Sequence, residues 1–151
     1  MPAAVNISDL LRLKPSADNG RPDLVTIAPS DTVTSLLATL AEHNVGALLA
    51  VNGADVVGIV SERDVVRRIA QHGAAVLDQP VSAIMTTSVL SCSSGDEVHS
   101  VAETMTQRRI RHMPVIDGDT LAGIISIGDV VAARIAQLEH DRNHLEQYIS
   151  G

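Results

Sequence analysis

Aromatic side chains are almost missing from this chain: Phe and Trp are absent and Tyr148 stands alone. A flat ring bound by such a protein has no stacking platform and must rest between aliphatic side chains and backbone. Cysteine is as scarce. The single Cys92 excludes an internal disulfide, which a chain this long does not need to hold a core. A reduced compartment fits, with the cytoplasm as the default. No apolar run approaches the roughly 18 residues of a membrane span. The opening "MPAAVNISDL" lacks the charged-then-apolar pattern of a signal peptide, so neither a membrane nor export is expected. Basic residues are outnumbered, with 11 Lys and Arg against 18 Asp and Glu and a formal charge of −7. That balance disfavours a surface built to track nucleic acid, which needs clustered cations along the phosphates.

What the chain does have is aliphatic residues and a repeat. Its 151 residues are 45% hydrophobic, enough for a core of Val, Ile, Leu, Ala and Met in roughly one domain. The stretch "GIVSERDVV", Gly58 to Val66, returns 65 residues later as "GIISIGDVV", Gly123 to Val131. Aligned without a gap at that offset, Val25 to Val66 matches the later copy at 11 of 42 positions, among them Asp31/Asp96, Val33/Val98, Gly53/Gly118 and Gly58/Gly123. This is an internal duplication.

In both copies apolar residues fall at helical spacing after an Asp or Ser that can cap the first turn, in "APSDTVTSLLATLAEHNV" and "SSGDEVHSVAETMTQRRI". Two apolar runs follow, parted by Asn52-Gly53 in one copy and Asp117-Gly118 in the other, dipeptides that favour a tight turn between antiparallel strands. A second helix starts at Ser61 and at Ser126. With the short strands "LVTI" and "VLSC" in front, each copy reads strand, helix, strand, strand, helix. Upstream, Ile7, Ser8 and Leu10 of "NISDLL" match Val81, Ser82 and Ile84 of "VSAIMT" at an offset of 74. The first copy thus carries an inserted loop around "KPSADNGRP".

These residues resemble the CBS domain, named after cystathionine β-synthase: an upstream "VSAIMT", an aspartate-started helix, "RRIRHMPVID", a two-strand hairpin and "GIISIGD". Two in tandem resemble the CBS pair, or Bateman module, over about Asn6 to Ile135. The first copy departs from the pattern where Leu49 replaces a proline. The resemblance implies an α+β fold, with two β-α-β-β-α repeats packed through their sheets about a pseudo-twofold axis. It also implies clefts that often bind adenine nucleotides and dimerisation into a flat disc. The expected layout is one compact module: residues 1–73 as the first repeat with an N-terminal helix and the inserted loop, 74–136 as the second, and 137–151 as a helical extension.

Ser61-x-x-Asp64 and Ser126-x-x-Asp129 fit a capping box, in which serine accepts the third amide of the helix and the acid folds back to the cap. A helix start is also an anion site, since its N–H groups and positive dipole end point outward. In the family the serine of this motif meets phosphate and the aspartate meets the ribose hydroxyls. A carboxylate suits a vicinal diol because it can accept two hydrogen bonds. Both readings stand for these four residues. By the same resemblance, the adenine end rests on Thr26, Ile27, Ala28, Ala47 and Leu48 in one copy and on Ser91, Cys92, Ser93, His112, Met113 and Pro114 in the other. Buried strand is the alternative for each.

Basic residues divide unevenly. Arg63, Arg67 and Arg68 lie at the second helix of the first copy, whereas Arg108, Arg109, Arg111 and His112 precede the hairpin of the second. If the copies face each other, Arg111 and His112 reach phosphate held at the Ser61 helix, and Arg63 has no counterpart because Gly128 stands in its place. A solvated basic face is the plainer reading.

His140 and His144 share a helix face without a third ligand, "DGDT" lacks a calcium loop's spacing, and no nucleophile with an evident base appears. Neither catalysis nor a metal is expected. A helix from Val131 onward outlasts the repeat, with Ile135, Leu138, Leu145 and Ile149 spaced near seven and Arg142 interrupting. The function this sequence implies is a regulatory module sensing AMP, ADP, ATP or NAD and acting through shape or assembly. A homodimer and an unidentified effector protein are the expected partners. Ligand-independent scaffolding and a subunit of an unidentified enzyme are the alternatives.

Overall fold

Helix-period apolar residues and turn chemistry act in the same way in both copies. The computed structural model describes residues 6–13 and 25–150. Along the chain run α1 (Ile7–Leu13), β1 (Thr26–Ile27), α2 (Val33–His43), β2 (Ala47–Asn52), β3 (Asp55–Ser61), α3 (Glu62–His72), α4 (Val98–Arg108), β4 (His112–Asp117), β5 (Thr120–Ser126) and α5 (Ile127–Ser150). Helix α2 buries Val33, Leu36 and Leu40, and α4 buries Val98, Val101 and Met105, one apolar stripe each. Burying such a side chain stabilises the fold by about 1.5–3 kcal/mol.

Both helices stop on a left-handed residue, Asn44 at φ 52° and Arg109 at φ 54°. The next N–H groups, of Val45 and Ile110, then reach back to the Leu40 and Met105 carbonyls, satisfying groups the helix end would leave bare. The starts differ from the sequence expectation. Thr32 caps α2 by accepting the Ser35 N–H, and Glu97 at the head of α4 makes no side-chain cap. Asp31 and Asp96 instead turn back, accepting the Ala28 and Ser93 N–H groups. A short acid three residues after the N–H it accepts closes that turn more readily than it reaches forward.

Each hairpin is antiparallel with the same irregularity, a register shift at Ala50/Val51 in β2 and at Val115/Ile116 in β4. Gly53 and Gly118 open the two turns at φ 63° and 61°. Strand β1 joins β2 in parallel, so the first copy has a three-stranded sheet. The expected strand "VLSC" is reduced to a single parallel bridge, Cys92 to Val115, held by the Cys92 N–H on Pro114 O and the Ile116 N–H on Cys92 O. The inserted loop "KPSADNGRP" lies outside the described residues.

Packing groups the chain differently from chain order. One unit contains residues 90–150 together with 6–13, and the other contains 25–89. Ile7 and Leu10 of α1 are buried in the core of the second copy, with Val98, Met105, Met113 and Ile125. Val81 and Ile84 are buried in the core of the first, with Val33, Leu36, Val60 and Val65. Backbone bonds repeat the exchange: Ile7 and Ser8 donate to Asp96 O and Ser94 O, and Val81 and Ser82 donate to Asp31 O and Pro29 O. The two packing units part between residues 89 and 90, and α1 joins the later one. The segment ahead of each repeat carries two apolar side chains that fill a gap beside the other repeat's first helix.

Helix α5 is 24 residues long. Ile127, Val130 and Ala133 pack on the core of its unit, while every residue from Leu138 to Ile149 is exposed.

Candidate functional site

In each unit the candidate polar residues meet at one end of the hairpin. Ala47 opens β2 directly opposite Ser61, which closes β3 and caps α3, and His112 faces Ser126 in the same way. The Glu62 N–H donates to Gly46 O at 3.0 Å and the Ile127 N–H to Arg111 O at 2.7 Å, fastening each helix start to the beginning of the neighbouring strand. Thr26 lies across from Leu49, two residues along β2 from Ala47. Ser91 adjoins the Cys92 bridge in the corresponding place.

The capping box is complete at Ser61. Its N–H donates to Asp64 Oδ2 at 2.8 Å, its hydroxyl donates to the same oxygen at 3.0 Å, and its Oγ accepts the Asp64 N–H at 3.2 Å. Ser126 and Asp129 repeat the reciprocal pair at 2.8 and 3.1 Å. The first N–H of each helix is therefore spent on the carbonyl just ahead of a strand and the third on a serine, leaving fewer donors for an anion than an open helix start offers. The Ser61 hydroxyl also gives its proton to Asp64, so an anion at that helix start must displace this bond or rely on nearby cations. Asp64 takes its bonds on Oδ2, which leaves Oδ1 for a hydroxyl donor.

The adenine-side residues divide by strand alternation. Ile27 and Leu48 turn into the helix-facing core of the first unit, and Cys92 and Met113 into that of the second. These four offer a ligand only backbone. Ala47 and Pro114 are buried without belonging to those cores, while Thr26, Ala28, Ser93 and His112 are half-buried and Ser91 is exposed. Ala28 and Ser93 have their N–H groups engaged by Asp31 and Asp96 at 3.1 and 2.9 Å. The sequence did not indicate that these turns take two backbone donors away.

Arg63, Arg67, Arg68, Arg108, Arg109 and Arg111 are exposed. Arg111 and His112 adjoin the serine box of their own repeat through β4 and β5. Burial, reinforced by the Asp96 and Asp117 carboxylates, pushes the Cys92 thiol from 9.0 up to about 11. It stays protonated and packs, its Sγ 3.8 Å from Pro114 O, which excludes the low thiol pKa a redox sensor requires. Asp117 is held below the ordinary carboxylate range by the Ser94 hydroxyl and N–H, at 2.7 and 2.9 Å.

Among the described residues no three His, Cys, Asp or Glu side chains are placed to hold a metal ion. No helix among them is long and apolar enough to cross a membrane.

The model of the CBS domain matches residues 20–71 and again 81–136. The mitochondrial CBS domain-containing protein CBSX3 of Arabidopsis thaliana is 32% identical over 98% of this chain and 73% of its own length. A CBS-domain containing protein of Agrobacterium tumefaciens, known from its crystal structure, superposes with a TM-score of 0.79 at 41% identity, over 87% of this chain and 95% of that one. A CBS domain pair crystallised with 5′-methylthioadenosine and S-adenosyl-L-methionine superposes with a TM-score of 0.70 at 24% identity, over 87% and 95% of the two chains.

Proposed function

As the chain belongs to the CBS domain family and carries two such domains in tandem, we propose that it is a regulatory module that binds adenine nucleotides, AMP, ADP, ATP or NAD, and answers through its shape or assembly. The observation that carries this reading is the duplicated strand end. In both units a serine box faces the first residue of the hairpin with a polar residue nearby: Ser61 and Asp64 with Ala47 and the half-buried Thr26 in one, and Ser126 and Asp129 with His112 and the exposed Ser91 in the other. The carboxylates accept from the ribose diol. The serine hydroxyls, with Arg63 in one unit and Arg111 in the other, meet phosphate. Backbone and aliphatic walls hold the base. The relative crystallised with two adenosine-containing ligands supports that class of ligand. Output comes from differential binding to two states of the module, since no catalytic group is part of this scheme.

The completed capping boxes favour a second reading, a ligand-independent scaffold, because Ser61 and Asp64 satisfy each other's hydrogen bonds. Melting curves with AMP, ADP, ATP, NAD and S-adenosyl-L-methionine separate the two. A ligand at about 100 times its Kd adds about 2.7 kcal/mol, worth roughly 5–11 °C for a chain of this length. Phosphate recognition predicts that adenosine binds more weakly than AMP, and that added salt weakens AMP. A melt unmoved by all five at millimolar concentration would sink the nucleotide reading for these ligands and make the scaffold the better account.

A further inference from the structure

The two copies carry different residues opposite the serine box. The Ile127 N–H donates to Arg111 O, as the Glu62 N–H does to Gly46 O. The next pairs inward, His112 with Ser126 and Ala47 with Ser61, are therefore the non-hydrogen-bonded pairs of their hairpins. Such partners bring their Cα atoms to about 4.5 Å and their side chains onto one face of the sheet. Met113 and Val115 turn into the helix-facing core, which by alternation puts His112 on the opposite face with Pro114. The imidazole is half-buried there, beside a serine whose Oγ accepts the Asp129 N–H at 3.1 Å. Ala47, in the same place, offers only a buried methyl group.

Of the side chains named at the two serine boxes, only an imidazole has an ordinary pKa, about 6.5, inside the physiological range. The charged groups around it are few. Arg111 precedes it and is exposed, as are Arg108 and Arg109 at the end of α4. Asp129 stands in the first turn of α5 with Oδ2 on the Ser126 N–H at 2.8 Å. Strand β5 has no charged residue, Asp9 and Arg12 of α1 pair with each other, and Asp96 ahead of α4 is turned back onto the Ser93 N–H. A protonated His112 thus adds a cation to Arg111 where phosphate is proposed to meet Ser126, and a neutral one leaves Arg111 alone. An anion bound there favours the protonated ring, so its binding takes up a proton. A neutral nucleoside gives no such preference. The first unit has no equivalent, because Ala47 does not titrate and Arg63 keeps its charge throughout that range.

We propose that His112 sets ligand specificity in the second unit: protonated, it selects phosphorylated adenine ligands over the neutral nucleoside, so that this site, unlike the first, answers to pH. The inference rests on the nucleotide sites proposed for the two serine boxes. Calorimetric titration of the full chain with AMP and with adenosine, at about pH 5.5 and about pH 8, tests it. The variants are His112→Ala, which installs the residue of the first copy, and His112→Arg, whose charge does not titrate. A phosphate monoester loses its second proton near pH 6, so each variant is compared with wild type at the same pH, where that effect and the first site are common to both. At the lower pH wild type should bind AMP about 10-fold more tightly than His112→Ala, the equivalent of a one-unit rise in the imidazole pKa on binding. At the higher pH the two should converge. His112→Arg should match wild type at the lower pH and exceed it at the higher, while adenosine should bind all three proteins alike. In proton NMR, the imidazole signal missing from His112→Ala should titrate about one unit higher in wild type saturated with AMP than in wild type alone. Failure of AMP to bind wild type at either pH would overturn the nucleotide reading and this proposal with it. If AMP binds but the ratio of wild type to His112→Ala is the same at both pH values, or adenosine shows the ratio expected of AMP, the nucleotide sites stand and the role of His112 falls.

Discussion

Gly58 lies directly beneath Met85: a β-carbon built on the glycine would stand 2.5 Å from Met85 Sδ and 3.1 Å from Thr86 O. The equivalent glycine, Gly123, has the same relation to Leu11, whose Cδ2 would be 2.9 Å away. Leu11 and Met85 are themselves equivalent in the upstream match. The glycine of each repeat is therefore the place where an upstream segment crosses the hairpin, which is why it recurs in "GIVS" and "GIIS". Gly58 is the stricter of the two, because Thr86 is tied to Ile59 by a pair of 2.9 Å backbone bonds and cannot retreat.

Gly58→Ala should accordingly cost about 1–3 kcal/mol by overpacking, a melting temperature lower by roughly 2–12 °C. Gly123→Ala should cost less, since the end of the Leu11 side chain can turn aside. In a double-mutant cycle, Met85→Ala should recover part of the loss in Gly58→Ala. Strictly additive effects would show that contact with Met85 is not the cause.

Much of this fold was legible because local chemistry and the repeat agree. The apolar stripe of Val33, Leu36 and Leu40, the turn glycines and the serine boxes each specify a local conformation, and the second copy repeats each one. The exchange of Ile7 and Leu10 for Val81 and Ile84 was not legible. Two apolar residues on a short segment report that they will be buried but not beside which repeat. The assignment of Ile27, Leu48, Cys92 and Met113 to the helix-facing cores was partly hidden for a related reason. Both faces of β2 and β4 are apolar, so alternation does not mark one of them as the inner face. Asp31 and Asp96 read equally well as helix caps or turn closers, and only backbone geometry distinguishes the two.

Arg109 holds a left-handed conformation at φ 54° where the first copy uses Asn44 at φ 52°. Asparagine tolerates that region, and a long side chain costs about 1 kcal/mol there. Arg109→Gly should raise the melting temperature by about 2–4 °C, since glycine at a helix end removes the strain. Nucleotide affinity should be unchanged, as Arg109 is not among the proposed contacts. An unchanged or lowered melt would mean that the arginine side chain contributes a stabilising contact of its own.

Asp64 carries two jobs that can be measured apart. As the third-position acid of a capping box its loss should lower stability by under about 1 kcal/mol. As a charged acceptor for ribose its loss should weaken nucleotide binding by about 1.5–3 kcal/mol, roughly 10- to 150-fold. Asp64→Ala and Asp129→Ala should each therefore show both effects, while Asp64→Asn, which keeps one carbonyl acceptor, should recover more of the stability than of the affinity. Calorimetry on the folded variants at low temperature separates the two. Lowered melts with unaltered affinity in both alanine variants would assign the boxes to capping alone.

The raised thiol pKa of Cys92 has a signature at alkaline pH. Burial comes first among its causes, then the Asp96 and Asp117 charges, and together they lift it from 9.0 to about 11. Below pH 9 the thiol is protonated in both the folded and the unfolded chain, so its contribution to stability is constant. Between about 9 and 11 the unfolded chain releases the proton and the folded chain keeps it, so stability falls by up to about 1.4 kcal/mol per pH unit. Above about 11 both forms are ionised and the loss stops growing. Other groups titrate in the same window, so the informative quantity is the difference between wild type and Cys92→Ala. The variant should be less stable at neutral pH, through lost packing, yet its stability should fall less steeply from pH 9 to 11. In the native chain at pH 8 a thiol reagent should label Cys92 far more slowly than in denaturant. Equal slopes for the two proteins, or native labelling as fast as that of an exposed thiol, would show that Cys92 is neither buried nor shifted in solution.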